Sequence, residues 1–135
     1  MAYKIIDIEG IGAVYSEKLI KAGIETPAKL LKKCASPAGR KALEEKINIS
    51  GDLILKWTNH ADLFRIKGVA PQFAELLEAS GVDTVKELQH RVPENLQKKL
   101  EETNKQKHMV GRVPALKEVV KMINQAKELP AIVTY

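Results

Sequence analysis

The chain has 135 residues, of which 44% are hydrophobic, and it carries a formal net charge of +5 with one cysteine. No stretch reaches the roughly 20 apolar residues that a membrane-spanning helix requires, and a single cysteine excludes an internal disulfide. We therefore expect a cytoplasmic protein with no membrane partner. The charge permits a polyanionic partner, but an aromatic content of 4% offers no stacking platform for single strands.

Capping residues and apolar periodicity predict four helices in the first half of the chain. The first ends before Gly23, because glycine is typical of the position after a helix. Thr26 followed by Pro27 begins the second, since threonine caps exposed amides and proline suits the first helical position. Ser36 and Ser50 begin two more helices in the same way.

The second half repeats this order of signals. A helix is predicted over residues 71–79, and Thr84 with Glu87 three residues later forms a capping box at the start of the next. Pro93 opens a helix over about 93–103, and Pro114 opens the last. The sequence therefore predicts an all-α fold of about eight helices, with the tail AIVTY docked on the core.

An internal repeat relates the two halves of the chain. The stretch IEGIGAVYSEKLIKAGIETPAKLL aligns with IKGVAPQFAELLEASGVDTVKELQ at a constant separation of 58 residues. We therefore predict two tandem repeats, residues 1–57 and residues 58–135, the second carrying the C-terminal tail, packed as one compact unit. The matched pairs are Ile8 and Ile66, Gly10 and Gly68, Ile11 and Val69, Leu19 and Leu77, Gly23 and Gly81, Thr26 and Thr84, and Leu30 and Leu88.

The first copy has the apolar-Gly-apolar-Gly pattern that is typical of helix-hairpin-helix motifs, at Ile8, Gly10, Ile11 and Gly12. Together with ISGDLILKWTNHADLFRIKGV, GVDTVKELQHRVPENLQKKLEETN and INQAKELPAIVTY, it resembles the domain-of-unknown-function family 4332. Members of that family are described as tandem helix-hairpin-helix proteins, and the resemblance covers nearly the whole chain. It implies two helix-hairpin-helix repeats of the SAM-like kind and leaves the function open.

The wider resemblance to helix-hairpin-helix proteins implies binding to duplex DNA without sequence specificity. In such proteins, hairpin amides and a nearby basic residue hold phosphates, and exposed amides at a helix N-terminus are a natural anion site. Carried over by position, the implied contact residues of the first hairpin are Gly10, Ile11, Gly12, Ala13, Lys18 and Lys21.

The second hairpin matches this function less well. Pro71 has no N–H to donate, and the positions equivalent to Lys18 and Lys21 are Leu76 and Ala79. We therefore expect the second hairpin to be mainly structural, with Lys67 and Gly68 as its implied contact residues.

A second group of basic residues surrounds a predicted loop in the second half. Lys105, Lys107 and Arg112 could contact phosphates there, and loops often carry function. The alternative interpretation is a solvated helix face with no ligand.

No residue pattern predicts catalysis, a metal site, a cofactor or a small-molecule substrate. His60, His90 and His108 are scattered, and the chain has no CxxC, HExxH or Walker A motif. Whether backbone carbonyls of the first hairpin bind a monovalent cation is left open by the residue types. Two functions remain: a non-catalytic module that binds duplex DNA or another polyanion, and an interaction or scaffold module for a protein partner.

Overall fold

A computed structural model describes residues 3–135, which form helices and contain no β-strand. The prediction of an all-α fold of about eight helices is confirmed. Residues 1 and 2 of the predicted first repeat lie outside the described residues. A 3-10 helix, Ile5–Asp7, precedes α1 (Ala13–Lys21), α2 (Pro27–Cys34), α3 (Pro37–Ile47), α4 (Gly51–Leu63), α5 (Pro71–Ala79), α6 (Val85–Gln89), α7 (Pro93–Lys107) and α8 (Leu116–Glu128).

Hydroxyl caps begin several helices, as the sequence predicts. Thr26 Oγ1 accepts from the backbone amide three residues later at 3.2 Å, and Ser36 Oγ does the same at 3.1 Å. Thr84 Oγ1 accepts from the amide of Glu87 at 3.3 Å. The Glu87 carboxylate accepts from Arg91, which follows the end of α6, at 2.7 Å.

Two helix boundaries differ from the sequence prediction. Helix α7 continues to Lys107, four residues beyond the predicted end, because His108 closes it in the left-handed region at φ 50°. The amide of His108 donates to the carbonyl of Asn104 at 2.8 Å. Helix α8 begins at Leu116 and not at Pro114, with Ala115 as its N-cap residue.

The chain forms two compact units. The first contains Met1–Asp62 and Ile132–Tyr135, and the second contains Leu63–Ala131. The boundary therefore lies after Asp62 and not after residue 57, because α4 continues past that position. The tail, which the prediction assigned to the second repeat, groups with the first unit.

The tail is held on the first unit by backbone contacts. The amide of Thr134 donates to the carbonyl of Ala35 at 2.8 Å, and the Arg40 guanidinium donates to the carbonyl of Thr134 at 2.6 Å. Val133 is buried beside them. The core of this unit includes Ile5, Ile8, Ile11, Leu19, Ile24, Leu30, Leu31, Cys34, Leu43, Ile49, Ile54, Trp57 and Ala61.

The second unit has its own hydrophobic core. Helix α8 packs against α6 and α7, and α5 packs against α7. Because α8 has apolar residues at helical spacing, one face of it is buried while its lysines remain exposed. The core residues are Leu63, Ile66, Val69, Phe73, Ala74, Leu76, Leu77, Val82, Val85, Leu88, Leu96, Leu100, Val119, Ile123 and Ala126.

The internal repeat is present in the backbone geometry. Gly10 has φ +91° and Gly68 has φ +92°, a conformation that L-residues rarely adopt. The amide of Ile11 donates to the carbonyl three residues earlier at 3.1 Å, and Val69 does the same at 3.2 Å. Each unit therefore places the same glycine turn before its first helix.

The units differ between their third and fourth helices. Helix α3 has 11 residues and α7 has 15, and the connections that follow them span residues 48–50 and 108–115. The second unit is thus longer at this point, and the additional length includes much of the basic segment, residues 105–117. No helix within residues 3–135 combines the length and apolarity needed to cross a bilayer.

Candidate nucleic-acid interface

The first turn, residues 8–12, connects the 3-10 helix to α1. The side chains of Ile8 and Ile11 are 1% and 4% exposed, which anchors the turn in the core. Gly10, between the two isoleucines in the chain, and Gly12, directly after the second, are exposed. Alternation of buried side chains with exposed glycines leaves the backbone of the turn open to a ligand.

The N-terminus of α1 has unused hydrogen-bond donors. Gly12 is its N-cap residue, in extended backbone with φ −84°, and it has no side chain to cap the helix. The amides of Ala13, Val14 and Tyr15 have no acceptor within the described residues. A Cβ built on Gly12 meets nothing within 4 Å, so the space in front of these amides is open. Amides in this arrangement attract an anion.

Other amides of the first turn differ in availability. The amide of Gly10 has no acceptor within residues 3–135, as the predicted role requires. The amide of Ile11 donates to the carbonyl of Ile8 at 3.1 Å, and its side chain is buried. Ile11 therefore supports the turn and does not offer a donor to a ligand, contrary to its inclusion among the predicted contact residues.

The two predicted lysines of α1 are placed differently. Lys18 is exposed and forms no ion pair in the described part of the chain. Lys21 pairs with Glu17 at 3.1 Å, an exposed contact one helical turn apart. With a rise of about 1.5 Å per residue, Lys18 lies about 7.5 Å along the axis from Ala13 and Lys21 about 12 Å. Lys18 is thus the better placed of the two.

The second turn, residues 66–70, presents fewer amides. Ala70 is the N-cap residue of α5, and Pro71 at the next position has no N–H. The backbone amide of Lys67 donates to Gln125 Oε1 at 2.7 Å, so α8 already occupies it. Amide donors are therefore scarcer at this turn than at the first, as the sequence predicts.

Helix α8 forms a pocket with the second turn. Its volume is about 330 Å³, and Met122 Cε lies 3.4 Å from the position of a Cβ built on Gly68. Sequence reasoning singled out Lys67 and Gly68 but not the α8 residues, which follow them by more than 50 positions. The lining residues are Lys67, Gly68, Glu118, Lys121, Met122 and Gln125.

In each unit, the seventh residue of the fourth helix lies next to the glycine of the turn. In the first unit this residue is Trp57, whose Nε1 lies 3.7 Å from the position of a Cβ built on Gly10. In the second unit it is Met122. The Trp57 ring is fully buried and packs 5.1 Å from the ring of Tyr15, centroid to centroid. Trp57 therefore supports the first turn from beneath.

Arg112 and Glu118 form a bidentate ion pair in the basic segment. Two guanidinium nitrogens of Arg112 lie 3.2 Å from the two oxygens of Glu118. The pair raises the pKa of Arg112 and lowers the pKa of Glu118, chiefly through these hydrogen bonds. The charge of Arg112 is thus compensated, which makes it a weaker candidate for a phosphate than the sequence implies.

Lys105 and Lys107 occupy the last turn of α7. Both are exposed, and neither has an ion-pair partner among residues 3–135. Cations at a helix C-terminus also interact favourably with the helix dipole, so their position has a structural explanation as well. Nearby, the Asn104 side chain holds Val110 by two hydrogen bonds of 3.0 Å, which orders the connection to α8.

The described residues contain no group of three or more His, Cys, Asp or Glu side chains that could hold a metal ion. The geometry therefore defines an all-helical protein with two repeated glycine turns, one of which exposes amides and one of which borders a pocket. The family described as Domain of unknown function (DUF4332) matches residues 9–129, and the chain belongs to this family. The match includes all eight α-helices, the second turn and residues 9–12 of the first turn. Comparisons with curated proteins and with solved structures found no match.

Proposed function

We propose that this protein is a non-catalytic, cytoplasmic module of two helix-hairpin-helix repeats that binds the backbone of duplex DNA without sequence preference. The observation that carries the proposal is the exposed N-terminus of α1. There, the amides of residues 13–15 have no acceptor within residues 3–135, Gly12 leaves open space in front of them, and Lys18 has no ion-pair partner among the same residues. A phosphate oxygen satisfies such amides and gains from the helix dipole.

The proposed contact is small and therefore sensitive to salt. One phosphate binds at the amides of residues 13–15, and Lys18 neutralises a neighbouring phosphate. Each neutralised phosphate adds about 0.9 to the slope of log affinity against log salt concentration. Few such contacts give weak binding at physiological salt. Because the proposed contacts reach phosphates and not base edges, we expect no sequence preference.

A substitution at Gly12 separates binding from folding. Asp or Asn at an N-cap accepts a hydrogen bond from the first-turn amides and stabilises the helix relative to glycine by a few tenths of a kcal/mol. Both Gly12→Asn and Gly12→Asp should therefore leave the thermal midpoint unchanged or higher. Both should weaken binding to a 20-base-pair duplex, and the Asp variant more strongly because its charge repels phosphate. Fluorescence anisotropy at low salt measures the affinity.

A matched control is available at another helix. Val92 is the exposed N-cap residue of α7, lacks a capping side chain and lies outside the proposed contact. Val92→Asp makes the same change of charge as Gly12→Asp at a helix N-terminus and should leave the affinity within about twofold. Lys18→Glu should weaken binding. Full affinity of Gly12→Asp and Lys18→Glu, or no binding by the unaltered chain at low salt, would contradict the proposal.

A protein partner is the second candidate, and exposed apolar side chains of the first unit favour it. Val14, in the first turn of α1, is 69% exposed, and Ile20 on the same helix is 50% exposed. Under this alternative, Val14→Ser weakens association with the partner while Lys18→Gln leaves it unchanged. Under the nucleic-acid proposal, Lys18→Gln weakens duplex binding and Val14→Ser leaves it unchanged. Affinity measurements on both variants therefore separate the functions.

A further inference from the structure

The pocket beside the second turn contains donors that the turn backbone lacks. Lys67 and Lys121 line it, and neither forms an ion pair among the described residues. Gln125 accepts the amide of Lys67 through Oε1 at 2.7 Å, which leaves its NH₂ group without an acceptor in the described part of the chain. Three donor groups from the turn and from α8 thus border one pocket of about 330 Å³.

The acidic residue of the pocket does not cancel this charge. Glu118 lines the pocket, but Arg112 holds both of its carboxylate oxygens at 3.2 Å. The ion pair is neutral as a whole, so the lining keeps the charge of its two lysines. Both carboxylate oxygens are already engaged by the guanidinium, and Glu118 forms no ion pair with Lys121 within the described residues.

The rest of the lining is apolar. Met122 approaches the Gly68 backbone so closely that a Cβ there would lie 3.4 Å from its terminal methyl. A ligand that fits this surface has an anionic group for the lysines and a compact, less polar group for Met122. The sugar–phosphate backbone of a nucleic acid alternates these two chemistries.

We propose that this pocket holds one sugar–phosphate unit of duplex DNA, bound through the side chains of Lys67, Lys121 and Gln125. The inference rests on the proposed function and adds a second backbone contact to it. Where the first unit uses main-chain amides, the second unit uses side chains that α8 brings to its turn. Because this contact uses side chains, it does not need the N–H that Pro71 lacks or the amide of Lys67 that Gln125 already binds.

The equivalent place in the first unit has a different chemistry. Trp57 occupies the helical position that Met122 has in the second unit, and its larger ring is completely buried against the turn. Glu9 stands 58 residues before Lys67, so an acid replaces the lysine. The side-chain contact therefore belongs to the second unit.

The experiment compares salt dependence in paired variants of the full chain. Replacing Lys67 and Lys121 by Gln removes two phosphate contacts, so the slope of log affinity against log salt should fall by about 1.8. The affinity for a 20-base-pair duplex at 0.1 M salt should fall about 60-fold. Lys127→Gln, an exposed site on another face of α8, is the control and should change the affinity only slightly.

The outcomes distinguish this inference from the proposed function. If Gly12→Asp weakens binding but Lys67→Gln with Lys121→Gln changes neither slope nor affinity, the pocket inference is wrong and the proposed function stands. If the double Gln variant loses binding and Gly12→Asp does not, the pocket is the contact and the first turn is not. If the unaltered chain does not bind duplex DNA at low salt, both are wrong.

A second measurement separates nucleic-acid backbone from free phosphate. The amide signals of Lys67 and Gly68, and the side-chain amide of Gln125, are followed by NMR with duplex DNA and with inorganic phosphate. Shifts with the duplex at micromolar concentration, and with phosphate only at far higher concentration, support the inference. Tight binding of inorganic phosphate without duplex binding overturns it, because the pocket would then serve a small anion.

Discussion

Cys34 illustrates how burial decides the chemistry of a single residue. Its side chain is fully buried at the end of α2. Burial raises the pKa of the thiol above its ordinary value of 9.0, although Arg40 and the Thr58 hydrogen bond act in the opposite direction. Since the thiolate is the reactive form, this cysteine is inert in the folded chain.

We predict that Cys34 reacts with a disulfide reagent such as DTNB only when the first unit unfolds. The rate at pH 8 should be at least 100-fold lower in native buffer than in 6 M guanidinium chloride. Because the native pKa is raised, the free energy of unfolding should also decrease as the pH rises above 9.0, where the unfolded chain releases the proton first. Rapid labelling of the native chain would contradict this prediction.

Trp57 shows a different consequence of burial at the residue scale. Its Nε1 is buried and has no hydrogen-bond partner among residues 3–135, which has an energetic cost, while its ring fills the space beneath Gly10. The ring therefore contributes through packing and not through its donor. This arrangement explains why a tryptophan is tolerated there although its polar atom is unsatisfied.

At the scale of elements, one arginine helps to hold the C-terminal tail on the first unit. Arg40 is 8% exposed, and its guanidinium donates to the carbonyls of Cys34, Ala35 and Thr134 at 3.0, 3.0 and 2.6 Å. The same group lies 5.8 Å from the ring centroid of Tyr135. Arg40 thus joins the end of α2 to the tail through a planar fork that few other side chains can reproduce.

Arg40→Ala should lower the free energy of unfolding by about 2–4 kcal/mol, because it leaves three carbonyls without their charged donor. Urea titration followed by Trp57 fluorescence measures this change. Arg40→Lys should restore only part of the stability, since a single ammonium cannot reach all three acceptors. Faster hydrogen exchange at the Thr134 amide in both variants would identify the tail as the affected element, and unchanged exchange would refute the assignment.

Helix α8 gives the second turn its chemistry. It covers the turn with Met122, binds the amide of Lys67 through Gln125, and brings Lys121 to the same pocket. The corresponding helix in the first unit supports its turn with Trp57. Two turns with the same backbone conformation therefore differ in the polar groups that surround them because of the helix packed against each.

At the scale of the whole molecule, the net charge of +5 is modest and its basic residues are found in both units. Several are compensated by neighbouring acids, including Lys21, Lys29 and Arg112. The molecule has no long basic stripe in sequence, and its aromatic content is only 4%. Binding that depends on a few phosphate contacts is the form of nucleic-acid recognition that this composition supports.

We predict that duplexes of equal length but different sequence bind with affinities that agree within about threefold. Single-stranded oligonucleotides should bind more weakly than duplexes, because the chain lacks stacking platforms. Competition against a labelled duplex at 50 mM salt measures both preferences. A tenfold preference for one duplex sequence would indicate base readout, and tighter binding to single strands would contradict backbone recognition of the duplex.

Local signals in the sequence account for most of the fold. Hydroxyl caps at Thr26 and Ser36, prolines at first helical positions and glycines after helices depend on neighbours within about four residues, so they predict helix boundaries well. The exceptions have equally local causes. Helix α7 ends at His108 in the left-handed conformation, which is uncommon for residues other than glycine although histidine is enriched there. Helix α4 continues past residue 57 to Leu63.

The candidate site was predictable in part. The repeat of 58 residues identified both glycine turns, and Pro71 identified the scarcity of amides in the second. Lys121 and Gln125 carry no local signal of function. The equal lengths of α4 and α8 align Met122 with Trp57, and this register was the one clue that could have led to the pocket.

Backbone preferences and residues close in the chain specify the helices, the two turns and their repetition, so these features follow from the sequence. Which donors of the second turn remain free depends on the packing of a distant helix. Packing of α8 on the second turn occupied the amide of Lys67 through Gln125 and brought Lys121 beside Lys67 from a distant helix. Such proximity between residues far apart in the chain arises only when helices pack, so a linear pattern does not contain it.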